Sequence, residues 1–257
     1  MPPQLKALSP ALRRRQGFFA FPGIFRPDDA GRWCWDGGSG RYAHAMFYIA
    51  NVSPRSTGKT TNSAWMCHAL HERGRKVIGF DADDSRQFSR WQANGSYPFI
   101  VQQAATPAFH MNTPQMIPSG FEDGVGVVDV GHLEDHKAVG TSVLRLADLA
   151  VINLPPSMND VERMEELPTR EFIGEVAPLR MDSTPPATWI LLCKAPSGVS
   201  EIKQVREYLV DEGYNVFTTV VPSVVKYMRT HEGSEIQAKG SAFDSLVTEM
   251  EERGLLP

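Results

Sequence analysis

Gly58, Lys59 and Thr60 stand in a row within "NVSPRSTGKTT", residues Asn51 to Thr61. Together they could hold a polyphosphate. Successive backbone N–H groups at a helix N-terminus converge on an anion, and a lysine ammonium adds charge beside them. The general pattern, G-x-x-x-x-G-K-[ST], follows a buried strand and opens a helix. Gly58 permits close backbone approach, Lys59 would reach the β- and γ-phosphates, and the Thr60 hydroxyl would ligate Mg²⁺. The first glycine is absent: Ser53 takes its place, followed by Pro54, Arg55 and Ser56. Proline removes one N–H from the loop. The nucleotide-facing groups would therefore run from Ser56 through Thr57, Gly58, Lys59, Thr60 and Thr61.

Two acidic strand ends give this match weight. "RKVIGFDADDSRQFSRW" contains an apolar strand ending in Asp81-Ala82-Asp83, and "GVGVVDVGH" another ending in Asp129. Carboxylates there stand at the edge of a parallel sheet where ligands bind. Asp83 could orient an attacking water, Asp81 could serve the metal shell, and Asp129 has the pattern of a Walker B aspartate. One such aspartate could simply cap the next helix. Two, in this order behind a phosphate loop, favour a metal–nucleotide site. His132 and His136, spaced i,i+4, read as a pair on a helix surface.

The elements that must position these groups are legible from Met46 onward. "MFYIANV", "KVIGFD", "PFIVQQA", "GVGVVDV", "LAVINL", "TWILLC" and "NVFTTVV" are strand candidates. Between most of them lie amphipathic stretches at Thr60–Arg73, Asp135–Ala147, Asp160–Glu175 and Glu201–Glu212, with a last helix at Ser241–Arg253. Near-continuous apolar strands alternating with helices predict an α/β fold: a mostly parallel twisted sheet with helices on both faces, of the phosphate-loop NTPase type. Residues 1–45 show no sustained period and are rich in Gly, Pro, Arg and Trp. They read either as a flexible arm or as sequence upstream of a natural start at Met46; residues 46–257 read as the ATPase domain.

Composition excludes some functions. With 42% hydrophobic and 22% charged residues and a net charge of −4, the chain is not one that coats nucleic acid with its whole surface, though a local basic patch is compatible. Cys34, Cys67 and Cys193 form no CxxC pair, which points to reduced thiols and away from zinc. No apolar run approaches the ~18 residues of a membrane span. "GFFAFPGIF" is too short and Pro-broken for a signal peptide. A cytoplasmic location without membrane attachment is expected.

From Met46 to its end the chain resembles the ParA/MinD family of deviant-Walker ATPases, and is most similar to the short ParF-type partition proteins. The residues carrying the resemblance are "STGKTT", "FDADDSRQFSRW", "VVDVGH", "LADLAVINLPPS" and "NVFTTVVPSVVKYMRTHEG…KGSAFDSLVTEM", in consistent order. The resemblance implies an ATP- and Mg²⁺-dependent switch. ATP would join two subunits into a homodimer, and the dimer would bind DNA non-specifically on the nucleoid. A ParB-like adaptor or centromere-binding protein would stimulate slow hydrolysis. By position, Lys59 is the phosphate lysine, Thr60 the Mg²⁺ ligand, Asp83 the hydrolytic acid, Asp129 the Walker B aspartate and Pro222 part of the loop lining the adenine. Lys203, Arg206, Lys226, Arg229 and Lys239 are the basic residues that such a dimer would set against the DNA backbone; on spacing alone they read as a solvated face.

The chain departs from this family at the loop. The family's signature lysine, which reaches across the dimer, is Pro54 here, and Arg55 one residue on is the candidate to take over its charge. Four other outcomes remain open at this stage. One is an accessory ATPase of conjugative or T-DNA transfer, to which "FDADDSRQFSRW" is also similar. Another is a small-molecule synthetase on the same scaffold, which would draw a substrate pocket from Gly95–Gly124. The others are a nucleotide switch that no longer hydrolyses and a structural binder.

Overall fold

"LAVINL" is apolar on both alternating faces except for one asparagine, so it can be satisfied only between two covering layers. The computed structural model bears this out: every residue of β7 (Leu149–Leu154) is buried, as are those of β4 (Val77–Ala82) and β6 (Val125–Val130). The structure describes residues 24–27, 33–36, 46–54, 57–196, 199–230 and 235–257.

Seven parallel strands form one sheet in the order β5-β4-β6-β3-β7-β8-β9. β3 (Phe47–Val52) occupies the middle, flanked by β6 and β7. β5 (Ile100–Gln103) and β9 (Val216–Pro222) are the edges, and β8 (Ala187–Ala195) adjoins β9. All seven expected strands are present. Separately, β1 (Ile24–Pro27) pairs antiparallel with β2 (Trp33–Asp36) in a unit spanning Met1–His44, and the sheet belongs to a second unit, Ala45–Pro257.

The alternating pleat of the strands sends side chains into two cores. Tyr48, Ala50 and Val52 of β3 pack on one face with Phe109 of α3 (Phe109–Met116) and Val143 of α4 (Lys137–Leu146). Ile49 packs on the other with α1 (Lys59–Glu72) and α9 (Ala242–Glu252). Trp65 of α1 stacks on Phe243 of α9 at 6.0 Å. That second layer explains why α1 is buried around most of its circumference rather than along one stripe.

The helices differ from expectation in three places. The stretch Asp160–Glu175 is two helices, α5 (Met158–Glu166) and α6 (Thr169–Gly174), because Pro168 cannot continue the first. α4 begins at Lys137, so His132 and His136 lie in the turn before it and form no pair on a helix surface. α2 (Gln87–Asn94) follows the Asp83 loop; α3 and α8 (Val225–Met228) were not anticipated, whereas α7 (Val199–Asp211) was. Among the described residues no helix is long and apolar enough to cross a membrane.

Candidate functional site

The site lies at the carboxyl edge of the central strands. β3 runs into Ser53 and Pro54, both buried; Arg55 and Ser56 lie outside the described residues. Gly58 then takes a left-handed conformation (φ 93°) as the cap of α1, a geometry that glycine adopts without steric cost. α1 opens at Lys59 with Thr60 and Thr61 in its first turn.

Lys59 is only 5% exposed, and its ammonium donates to the Ser53 hydroxyl at 2.9 Å. Burial pulls its pKa below the usual lysine value; Asp129 and Asp83 oppose this and Lys194 adds to it. Asp129 is paired in register with Asn51 on β3 and Asp81 on β4, so three polar side chains stand abreast on neighbouring strands. Its Oδ1 accepts from the Ser63 hydroxyl at 3.3 Å, whereas Oδ2 is buried with no hydrogen-bond partner among the described residues. Burial pushes the Asp129 carboxyl up to about 7, against the Thr60 hydroxyl and the Lys59 ammonium.

A buried carboxylate oxygen that no described residue hydrogen-bonds, beside a threonine hydroxyl, fits a hard divalent cation. Thr60 and Asp129 are the residues that would hold Mg²⁺. Among the described residues no cluster of three His, Cys, Asp or Glu side chains gathers, so such an ion would complete its shell with phosphate oxygens and water, as Mg²⁺ commonly does.

Asp81 and Asp83 divide their tasks. The Asp81 carboxylate accepts the Ser89 N–H at 2.8 Å and the Asp83 N–H at 3.4 Å, fastening the loop before α2. Burial raises its pKa and these bonds oppose the rise. Asp83 is half-buried and accepts the Ser85 N–H at 2.9 Å. Next to it, a Cβ on Gly131 would stand 2.9 Å from His136 Cδ2 and 3.6 Å from Asp83 Cγ. His136 Nδ1 lies 3.5 Å from Asp84 Oδ2. Burial, then the Lys59 charge, holds His132 below the usual imidazole range against Asp83 and Asp135. Both histidines therefore belong to the surroundings of Asp83.

A buried amide network was missed in the sequence. Asn62 Nδ2 donates to Asn153 Oδ1 at 2.6 Å, Asn153 Nδ2 to Asn51 Oδ1 at 3.2 Å, and Asn51 Nδ2 to Ser63 Oγ at 3.0 Å. It ties the ends of β3 and β7 to the first turns of α1. The available signal was an asparagine near the end of each of two otherwise apolar strands.

The remaining candidates are spread more widely. Pro222 is exposed at the end of β9 and pairs with Ala195 at the end of β8, on the same sheet edge. Lys203 on α7 is exposed, 3.6 Å from Glu207. The Arg206 guanidinium is turned onto β9, donating to the carbonyls of Phe217 and Thr218. Lys226 is exposed, with its ammonium 5.0 Å from the Tyr227 ring centre and 5.4 Å from that of Trp65. Arg229 and Lys239 are exposed.

A family model for the CobQ/CobB/MinD/ParA nucleotide binding domain matches residues 52–235, from the last residue of β3 past α8. The chain belongs to this family. Its ParA/MinD fold recurs in a plasmid partition protein from Borrelia burgdorferi bound to AMPPNP, at TM-score 0.60 and 11% identity over 82% of this chain and 98% of that one. Cobyrinic acid a,c-diamide synthase from Mycobacterium smegmatis, with bound ADP and magnesium, gives 0.58 and 14% over 81% and 96%. A Cyanothece McdA–ATP complex gives 0.56 and 12% over 82% and 97%. At these identities the likeness shows the fold. No curated protein sequence matches. In this ParA/MinD domain, the loop before α1 and the acidic strand ends fall within the matched residues.

Proposed function

We propose that the protein is an ATP-dependent positioning switch of the ParA type, acting on a plasmid or phage-like DNA cargo. The observation that carries the reading is the convergence of Lys59, Thr60 and Asp129 at one sheet edge, with Asp129 Oδ2 buried and unpartnered among the described residues. Lys59 would bind the β- and γ-phosphates, and the first-turn N–H groups of α1 would hold them. Mg²⁺ held by Thr60 and Asp129 would neutralise phosphate charge. Asp83, set by Asp81 and hemmed in by Gly131 and His136, would orient the attacking water. Arg55 is the loop's candidate cation toward a second subunit in an ATP-dependent homodimer. Lys226, Arg229 and Lys239 would meet DNA, and a ParB-like adaptor would trigger hydrolysis. Residues 46–257 would suffice for this cycle. Likeness to partition proteins supports the DNA role.

The test is ATP turnover with and without DNA, paired with DNA retention across a salt series. Expected are slow basal hydrolysis, DNA retention that requires ATP, and retention that falls steeply with salt. Turnover stimulated by a small metabolite but not by DNA, or no DNA retention at low salt with ATP, overturns the proposal.

A further inference from the structure

The end of β8 touches the phosphate loop. Cys193 Sγ lies 3.5 Å from the Thr57 carbonyl, and the next residue, Lys194, has a left-handed backbone (φ 52°). Residues other than glycine rarely take that conformation. Along β8, Leu192 and Cys193 alternate into opposite cores. The turn at Lys194 breaks that alternation, and its exposed side chain runs over Gly58. Lys194 Cε stands 3.0 Å, and Nζ 3.9 Å, from where a Cβ on Gly58 would be. Gly58 is therefore constrained twice, by its own φ and by the lysine crossing it.

Two ammonium groups, of Lys59 and Lys194, thus approach the same N-terminus of α1, whose unpaired N–H groups already favour negative charge. Two cations at a helix N-terminus make that end attractive to an anion. Position 54 in the loop is a proline, offering neither charge nor N–H.

We propose that Lys194 is a second phosphate-binding cation of the nucleotide site, supplied by the same subunit from the end of β8. The proposal rests on the nucleotide reading above. Lys194 contacts the phosphate chain of a nucleoside di- or triphosphate from the side of the loop covered by β8, while Lys59 approaches from within it.

Fluorescent ATP and ADP analogues titrated against wild type, Lys59→Met, Lys194→Met, Lys194→Gly and Lys194→Arg test this. Glycine suits the left-handed backbone and methionine keeps the stem, so the two neutral variants fail differently if folding is at fault; thermal melts check each. Loss of a charged hydrogen bond predicts about 10- to 100-fold weaker binding in both neutral variants. The deficit shrinks as salt rises, because the group is exposed, and the arginine variant retains most of the affinity. If Lys59→Met loses binding while both neutral Lys194 variants match wild type, the proposal is wrong and the nucleotide reading stands. If wild type binds neither analogue, both are wrong.

Discussion

The Lys59 ammonium donates to the Ser53 hydroxyl at 2.9 Å, across the loop that precedes α1, and both residues are buried. An incoming phosphate must compete with that hydroxyl. Ser53→Ala removes the contact from the ligand-free protein only. We expect its melting temperature to fall, by the equivalent of about 1–3 kcal/mol, with nucleotide affinity equal to wild type or higher. Lys59→Met should do the reverse, sparing stability and weakening nucleotide by about 100-fold. Melts and titrations on the same samples check both; weaker binding in Ser53→Ala would mean that the hydroxyl itself contacts ligand.

Gly131 holds Asp83 and His136 at their present spacing. An added methyl would lie 2.9 Å from His136 Cδ2 and 3.6 Å from Asp83 Cγ. Gly131→Ala should therefore displace the Asp83 loop without touching Lys59 or Thr60. The expected result is hydrolysis reduced by up to about 100-fold, the scale of a small misplacement of catalytic groups, with nucleotide affinity preserved. Equal losses in turnover and affinity would show that the change had spread to the phosphate loop.

The reach of the sequence follows from how each signal is encoded. β7 could be read because a strand buried on both faces is a continuous apolar run, "LAVINL". Lys59, Thr60, Asp83 and Asp129 could be read because a loop and two strand ends fix them locally. Lys194 could not: it reaches Gly58 from the far end of β8, and only the sheet order brings the two together. The same holds for His132 and His136, whose spacing suggested a helix but whose backbone turns before α4. A short element such as α3 escaped because eight residues hold too few periods to stand out, and it contains Pro114.

The basic residues separate by what they already hold. Arg206 donates to two carbonyls of the edge strand β9, and burial lowers its pKa while Glu249 opposes. Arg206→Ala should lower stability by about 1–3 kcal/mol, since it leaves those carbonyls short of a charged donor. Its effect on DNA retention should be no larger than that loss explains. Lys226, Arg229 and Lys239 are exposed, and replacing all three by alanine should leave the melting temperature near wild type while flattening the salt dependence of DNA retention. The opposite pattern, with retention lost in Arg206→Ala and intact in the triple variant, would move the DNA surface to α7.

His68 sets an acid limit to the fold. It is 3% exposed on α1, between the rings of Tyr97 at 5.0 Å and Phe99 at 4.9 Å, and its Nε2 has no hydrogen-bond partner among the described residues. Burial lowers its pKa from 6.5 to about 4, with Glu72 opposing and His71 adding. A depressed histidine means that the folded state favours the neutral ring. Above pH 6.5 neither state binds the proton and the full stability is present. As pH falls, the unfolded chain takes up a proton that the folded one refuses, so stability declines by about 1.4 kcal/mol per unit until about pH 4. The whole window is worth about 3 kcal/mol. His68→Phe keeps an aromatic ring among Tyr97 and Phe99 and removes the proton site. Denaturant melts at pH 4.5, 5.5 and 7 should show a shallower acid slope in the variant by one proton; identical slopes would mean that His68 already protonates freely in the folded chain.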